Sequence, residues 1–225
     1  MQTVLIDADI ITYRVGFASE GLPEGIAIAR CSEFIEDLIL FNGFEKYKGY
    51  LTGKGNYRYE IATTAPYKGN RKAPKPEHYQ LLRDYMVDAW GFEIIEGQEA
   101  DDQLGIMAYS MEVGEYCIAS IDKDLDMIRG DHLNFVKNEK YFITEEEGIK
   151  NFYKQILMGD RVDNIIGIKG IGTVKAERLL KECKSEKEMY LTVLEAYKGD
   201  DKRVLENAQL LWIRREPNQM WHPPA

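Results

Sequence analysis

Three carboxylates stand within four residues in the stretch GQEADD at 97–102: Glu99, Asp101 and Asp102. Glu99 and Asp102 are three apart, so on a helix they share a face with Asp101 beside them, and the positive end of the helix dipole offsets only part of their repulsion. Taken alone, such a cluster reads as an acid-rich helix start facing water, where acids are favoured anyway. Three further acid pairs change that reading. Asp7 and Asp9 close the apolar run Val4, Leu5, Ile6; Asp122 and Asp124 follow the run YCIAS at 116–120; Asp160 and Asp163 sit in GDRVDN at 159–164. Crowded carboxylates require a cation, and hard oxygen donors suit a divalent ion such as Mg2+, which keeps several of its waters. Two such ions ~4 Å apart can activate a water and stabilise the leaving oxygen of a phosphodiester under in-line attack.

These acids need a scaffold that brings them together. Residues 3–7 are a short apolar run without alternation, which predicts a buried parallel strand. A helix is predicted over 24–42, with Ile28, Phe34, Ile35, Leu38 and Ile39 roughly on one face and Gly43 as its stop, and then a strand near 45–52. A helix over 77–90 carries Leu82, Tyr85, Met86, Ala89 and Trp90 at helical spacing and ends at Gly91. There follow a strand at 93–96, the acid-rich helix at 99–112, a strand at 115–120, a turn or short helix at 123–128 and a strand at 133–137. This alternation predicts an α/β fold with a mostly parallel central sheet flanked by helices. Ligands of open α/β sheets gather beyond the carboxyl ends of the strands, where Asp7 and Asp122 fall by position alone. From 145 onward only helices are expected, near 145–158, 173–182, 186–197 and 201–213, with a proline-rich tail at 217–225 that docks loosely. That change divides the chain into an α/β domain, 1–144, and a helical unit, 145–225.

Two basic segments lie between the acids. GKGNYR at 53–58 holds Lys54, Tyr57 and Arg58, and YKGNRK at 67–72 holds Tyr67, Lys68, Asn70, Arg71 and Lys72. By composition they are solvated loops, yet interleaved Arg, Lys and Tyr also suit phosphate contacts and base stacking. A glycine-flanked stretch, GIKGIG at 167–172, has backbone amides free to grip a phosphate.

With 225 residues, 44% hydrophobic and 30% charged, the chain has the make-up of a folded globular protein rather than a disordered one. Cys31, Cys117 and Cys183 form neither a disulfide framework nor a metal-ligand spacing, which fits a reducing cytoplasm. The N-terminus runs straight into a strand, and no apolar run approaches the ~18 residues of a membrane span, so a soluble, unprocessed, cytoplasmic protein without a membrane partner is expected. A net charge of −9 argues against a polyanionic partner, but the eight acids at 7, 99, 101, 102, 122, 124, 160 and 163 account for most of it. With cations among them, the remaining surface is near neutral and local basic patches decide binding.

In order, LIDAD, YKGNRK, GQEADD, SIDKD, GDRVDN and GIKGIG resemble the motifs of the 5′ nucleases, the flap endonuclease and 5′-3′ exonuclease group found in the N-terminal domains of bacterial DNA polymerase I and as free-standing phage enzymes. The resemblance runs from residue 1 to about 182. It implies that Asp7, Glu99 and Asp101 hold one divalent ion, and that Asp102, Asp122, Asp124, Asp160 and Asp163 hold a second, directly or through water, with Mn2+ able to replace Mg2+. Lys68 and Arg71 would be catalytic, touching the scissile phosphate at the foot of a helical arch formed by 72–90. Residues 164–182 match a helix-hairpin-helix that grips duplex DNA, here through Lys169, Gly170, Gly172 and Lys175, and is similar to motifs that bind K+ through carbonyls. Lys54, Tyr57, Arg58, Tyr67, Asn70 and Lys72 complete the DNA-facing set. The implied activity is structure-specific hydrolysis of DNA bearing a 5′ end, flap, nick or gap, or of an RNA–DNA hybrid, by a monomer in a bacterial or phage-infected bacterial cell.

One departure stands out. The family has a further aspartate shortly before its YKGNRK-like motif, but here no acid lies between Glu45 and Glu60, and residues 51–53 are Leu, Thr and Gly. The first ion is therefore expected to bind more weakly than the second. Two other readings compete: a haloacid-dehalogenase-type phosphohydrolase with Asp7 as nucleophile and Asp9 as acid/base, and a structure-specific DNA-binding module with a decayed metal site. Eight surviving carboxylates argue against the latter, since without a metal their repulsion is a standing destabilisation.

Overall fold

The structure, a computed structural model, describes residues 2–225. Strand β1 (Thr3–Asp7) is buried along its whole length and lies inside a six-stranded sheet. Its partners are β2 (Lys46–Thr52), β3 (Glu93–Ile95), β4 (Tyr116–Ala119), β5 (Gly130–Asn134) and β6 (Glu139–Ile143), in the order β3-β2-β1-β4-β5-β6. All pairs are parallel except β5 with β6. Asp7 pairs with Tyr50 and Ile6 with Ala119, so the carboxyl ends of β1, β2 and β4 come out side by side. The chain moves outward from β1 through β2 to β3, then returns to place β4 on the other side of β1. That reversal is a switch point, where an open sheet leaves a crevice for ligands.

Alternate β1 side chains feed different cores, as the period of two requires. Val4 and Ile6 join Ile11, Ala27, Ile35, Leu82, Met86 and Cys117 under α1 (Ala8–Ala18), α2 (Glu24–Leu40) and α4 (Tyr79–Trp90). Leu5 joins Tyr50, Leu104, Tyr116 and Ile118 under α5 (Ala100–Tyr109), and this core runs on without a break to Phe152, Ile156, Val204 and Leu211. These belong to the C-terminal helices α6 (Glu145–Met158) and α9 (Asp201–Leu211), which with α7 (Thr173–Leu180) and α8 (Glu186–Ala196) form an outer layer on that face. A short helix, α3 (Arg58–Ile61), packs beside α9. Among the described residues no helix is long and apolar enough to cross a membrane.

The structure adds to the sequence expectations and corrects several. The run after Asp7 is helix α1, entered directly from β1 with Asp7 as its N-cap, so no loop residues mark its start. The strand expected at 133–137 lies at 130–134 and turns back as the antiparallel strand β6, whose residues are mostly exposed. Past 145 there is a two-residue ladder, β7 (Gly159–Asp160) with β8 (Ile165–Ile166). The tail does not dock loosely: Trp221 is 4% exposed and packs on Phe152, Tyr153 and Tyr190. The stretch expected as an arch, 72–90, divides in two. Leu82 and Met86 are fully buried, which holds residues 79–90 against the core as α4, and the segment before it is irregular.

Candidate metal-binding active site

Each acid is aimed by the element that ends or begins at it. Asp7 closes β1 and accepts a 2.8 Å hydrogen bond from the Ser120 hydroxyl at the end of β4. Glu99 caps α5, and Asp101 follows in its first turn. Asp122 caps the 3-10 turn Lys123–Met127 and accepts from the Asp124 amide at 2.9 Å, while Asp124 accepts from the Gln155 side chain of α6 at 2.7 Å. Asp160, in β7, accepts from the Val162 amide, and Asp163 accepts from the Tyr67 hydroxyl at 2.7 Å and from Arg71 at 2.5 Å. Helix starts and strand ends are the places where backbone N–H groups and short side chains can hold a carboxylate in a fixed direction.

Two adjoining cavities receive these groups. One, of about 430 Å³, is lined by Asp7, Glu99, Asp101 and Asp122; the other, of about 160 Å³, by Glu99, Asp101, Asp122, Asp124, Asp160 and Asp163. Lys68 and Arg71 line both. Lys68 is ion-paired with Glu99 and stands 3.6 Å from Asp163. Burial alone would lower its pKa, but the charges of Glu99 and Asp163 outweigh this and raise it, so the ammonium stays charged.

The remaining acids lack such partners. Burial, then the charge of Asp9, pushes Asp7 up to about 7 against hydrogen bonds that pull it down. Burial and the neighbouring Asp122 and Asp160 push Asp124 up to about 8. Burial and Asp7 hold Asp101 well above the ordinary carboxylate range. Among the described residues no three carboxylates, histidines or thiols already close around a metal-sized point. The donor chemistry nevertheless fits divalent metal: the set is all oxygen, and its buried acids are short of positive charge, which a hard cation supplies.

Several residues expected at this site do other work. Asp102 is fully buried; it accepts from Arg58 at 2.6 and 2.9 Å, from the Arg214 amide at 3.1 Å and from the Glu99 amide at 3.1 Å. Arg58, expected to face DNA, is 2% exposed, and its other N–H groups donate to the carbonyls of Leu210 and Trp212. The two residues are a buried fastening between α5 and the end of α9, and Asp102 therefore has no free face for an ion. Tyr67 is 4% exposed, so its ring is core rather than a stacking platform; its hydroxyl reaches both Glu99 and Asp163. Tyr57 is half-buried, with the guanidinium groups of Arg58 and Arg214 4.7 and 4.0 Å from its ring centroid. Asn70 donates to the Arg161 carbonyl, which ties the YKGNRK loop to the GDRVDN loop. Lys54, Lys72 and Lys169 are exposed, as are Gly170 and Gly172. Lys175 is exposed too and donates to the Gly170 carbonyl at 2.8 Å. The sequence reading missed Arg83. Its signal was a charged residue between Leu82 and Met86 on the buried stripe of a helix, and it is 5% exposed.

No family model matches the chain. It is 32% identical over 205 residues to a thermostable DNA polymerase I of Thermus caldophilus, covering 80% of this chain and 24% of that protein. The chain thus spans about a quarter of the length of such polymerase relatives. Its fold is similar to that of the T5 D15 flap endonuclease, solved as a pseudo-enzyme-product complex with DNA and metal ions: the TM-score is 0.69 at 18% identity, covering 94% of this chain and 89% of that one. A 5′-3′ exonuclease of Buchnera aphidicola is 30% identical over 210 residues, and the match takes in 83% of this chain and 72% of that protein. Likeness of that extent, over a sheet whose strand ends gather these acids, means that the chain belongs to the 5′-3′ exonuclease family of 5′ nucleases.

Proposed function

We propose that this chain is a metal-dependent, structure-specific 5′ nuclease that hydrolyses phosphodiesters of DNA at a 5′ end, flap, nick or gap, as a 5′-3′ exonuclease or flap endonuclease, with the RNA strand of an RNA–DNA hybrid as a further substrate. It acts as a monomer in the bacterial or phage-infected cytoplasm. The observation that carries this reading is the shared wall of the two cavities, where Lys68 and Arg71 stand among Glu99, Asp101 and Asp122. Asp7, Glu99 and Asp101 would hold Mg2+ on one side, and Asp122, Asp124, Asp160 and Asp163 on the other, with Mn2+ as a substitute. Divalent ions there supply Lewis-acid activation of water and neutralise charge on the phosphoryl oxygens.

The chain's own residues do the rest. Lys68 and Arg71 give the phosphate two fixed cations in a partly dry pocket, where they act more strongly than in water. The Tyr67 hydroxyl orients Glu99 and Asp163. The exposed residues Lys169, Gly170 and Gly172 would offer backbone and a cation to a duplex, while the Ile168 and Ile171 amides are spent inside the fold, and a K+ at the loop's carbonyls would assist; backbone contact of this kind reads structure, not sequence. The phosphohydrolase alternative loses its acid/base, because Asp9 is ion-paired with Arg83 at 2.8 Å.

The test is cleavage of an end-labelled 5′-flap duplex by wild type and Asp122→Asn, in Mg2+ and in EDTA. Wild type is expected to cut only with metal, and Asp122→Asn to bind the flap without cutting it. Undiminished cutting in EDTA, or wild-type turnover by the variant, refutes the proposal.

A further inference from the structure

The carboxyl end of β2 adjoins Asp7 yet contributes no acid. Of the three residues there, Leu51 is fully buried in the core, and a side chain on Gly53 would come within 2.7 Å of Glu96 and the Ile95 carbonyl. Only Thr52 faces the site, and its hydroxyl accepts from the Ala100 amide at 2.9 Å. One carboxylate nevertheless reaches this spot from another element. Asp9, in the first turn of α1, accepts the Thr52 amide on one oxygen at 3.0 Å and Arg83 on the other at 2.8 Å. Arg83 in turn donates to the Thr52 carbonyl at 2.6 Å. A nearly buried guanidinium from α4 thus clamps Asp9 onto the end of β2.

We infer that Asp9 is a member of the ion-holding set, standing in from α1 for the acid that β2 lacks, with Arg83 as the positioning residue that fixes its direction. Three observations support this. Asp9 lines the 430 Å³ cavity together with Asp7, Glu99, Asp101 and Asp122. Its side chain keeps 26% of its surface open, whereas that of Arg83 keeps 6%, so the arginine is consumed by the clamp and the carboxylate is not. Each Asp9 oxygen accepts one hydrogen bond, and a carboxylate oxygen has room for two, which leaves lone pairs for an ion or its waters. On this arrangement the first ion's site is not short of a carboxylate, contrary to what the gap between Glu45 and Glu60 suggests.

The inference rests on the metal-dependent reading above, and its test separates the two. Metal-free wild type and Asp9→Asn are titrated with Mn2+ by calorimetry, and the melting temperature of each metal-free protein is recorded. Wild type is expected to bind Mn2+, and Asp9→Asn to bind it about 10- to 100-fold more weakly at one site, as when a carboxylate around a metal is lost. Wild-type Mn2+ affinity in a folded Asp9→Asn overturns the assignment and leaves Asp9 a structural tie alone; no Mn2+ uptake by wild type overturns the metal-dependent reading instead. Should Asp9→Asn not fold, Asp9→Glu is titrated in its place. It keeps the charge but carries it a bond further, so weakened affinity is expected and wild-type affinity again overturns the assignment.

Discussion

Asp102→Ala separates a structural acid from a metal ligand within one four-residue cluster. The wild-type carboxylate accepts four hydrogen bonds and has no solvent exposure, and its partner Arg58 is 2% exposed. Removing it leaves the buried guanidinium to Glu99 alone, 3.9 Å away, and leaves the amides of Glu99 and Arg214 unpaired. Breaking one side of a buried ion pair destabilises by about 3–5 kcal/mol, and unpaired buried amides add to that. For a chain of this size that is a fall in melting temperature of about 6–20 °C. Asp102→Asn, which keeps one acceptor but not the charge, should fall between the variant and wild type. The assays are thermal unfolding of the metal-free proteins and Mn2+ titration at a temperature where each is folded. Stability should drop while Mn2+ affinity stays near the wild-type value. An Asp102→Ala protein within about 1 kcal/mol of wild type that has lost its Mn2+ site would refute the structural assignment, since exposed carboxylates contribute no more than that.

Three further outcomes are expected. Lys68→Ala should slow single-turnover cleavage of the flap substrate by about 100-fold or more, the usual effect of removing a preorganised group facing developing charge, with far less change in substrate affinity; equal losses in both would make Lys68 a docking residue. Gly159→Ala should destabilise by about 3 kcal/mol in chemical denaturation, because φ is +68° there and a Cβ would lie 2.2 Å from the Gly167 nitrogen; a wild-type midpoint would mean the β7–β8 ladder is not packed as described. Glu206 accepts from the amides of Thr63 and Thr64 and the Thr64 hydroxyl; burial alone would raise its pKa, but these bonds outweigh it and lower it to about 2. A depressed folded pKa stabilises above the ordinary carboxylate range, and that stability is lost as pH falls toward 2. Glu206→Gln should therefore unfold earlier than wild type at pH 7, and the gap should close between pH 5 and pH 2; a gap independent of pH would rule out this linkage.

The sequence by itself determined the acids and their place in the fold. A buried strand ending in Asp7, a second apolar run ending before Asp122 and an acid-rich helix start at Glu99 are local patterns, set by residue type and spacing over a few positions. Parallel strands with these ends aligned must bring such acids to one edge of the sheet, so the candidate site was legible before the chain was folded. Tertiary structure decided which polar groups that edge keeps and which the interior takes. Asp102 and Arg58 are 44 residues apart, and Asp102 meets the Arg214 amide across 112; its capping-box place three after Glu99 is local, but its burial against Arg58 and Arg214 is not, and it is sealed inside while Asp101 lines both cavities. Asp9 gained its place because α4 packs with Arg83 toward β2, a consequence of burying Leu82 and Met86 on the same stripe. The residue types fix what each group can do; its partners, and hence whether its charge faces an ion or an arginine, come from contacts between segments distant in the chain.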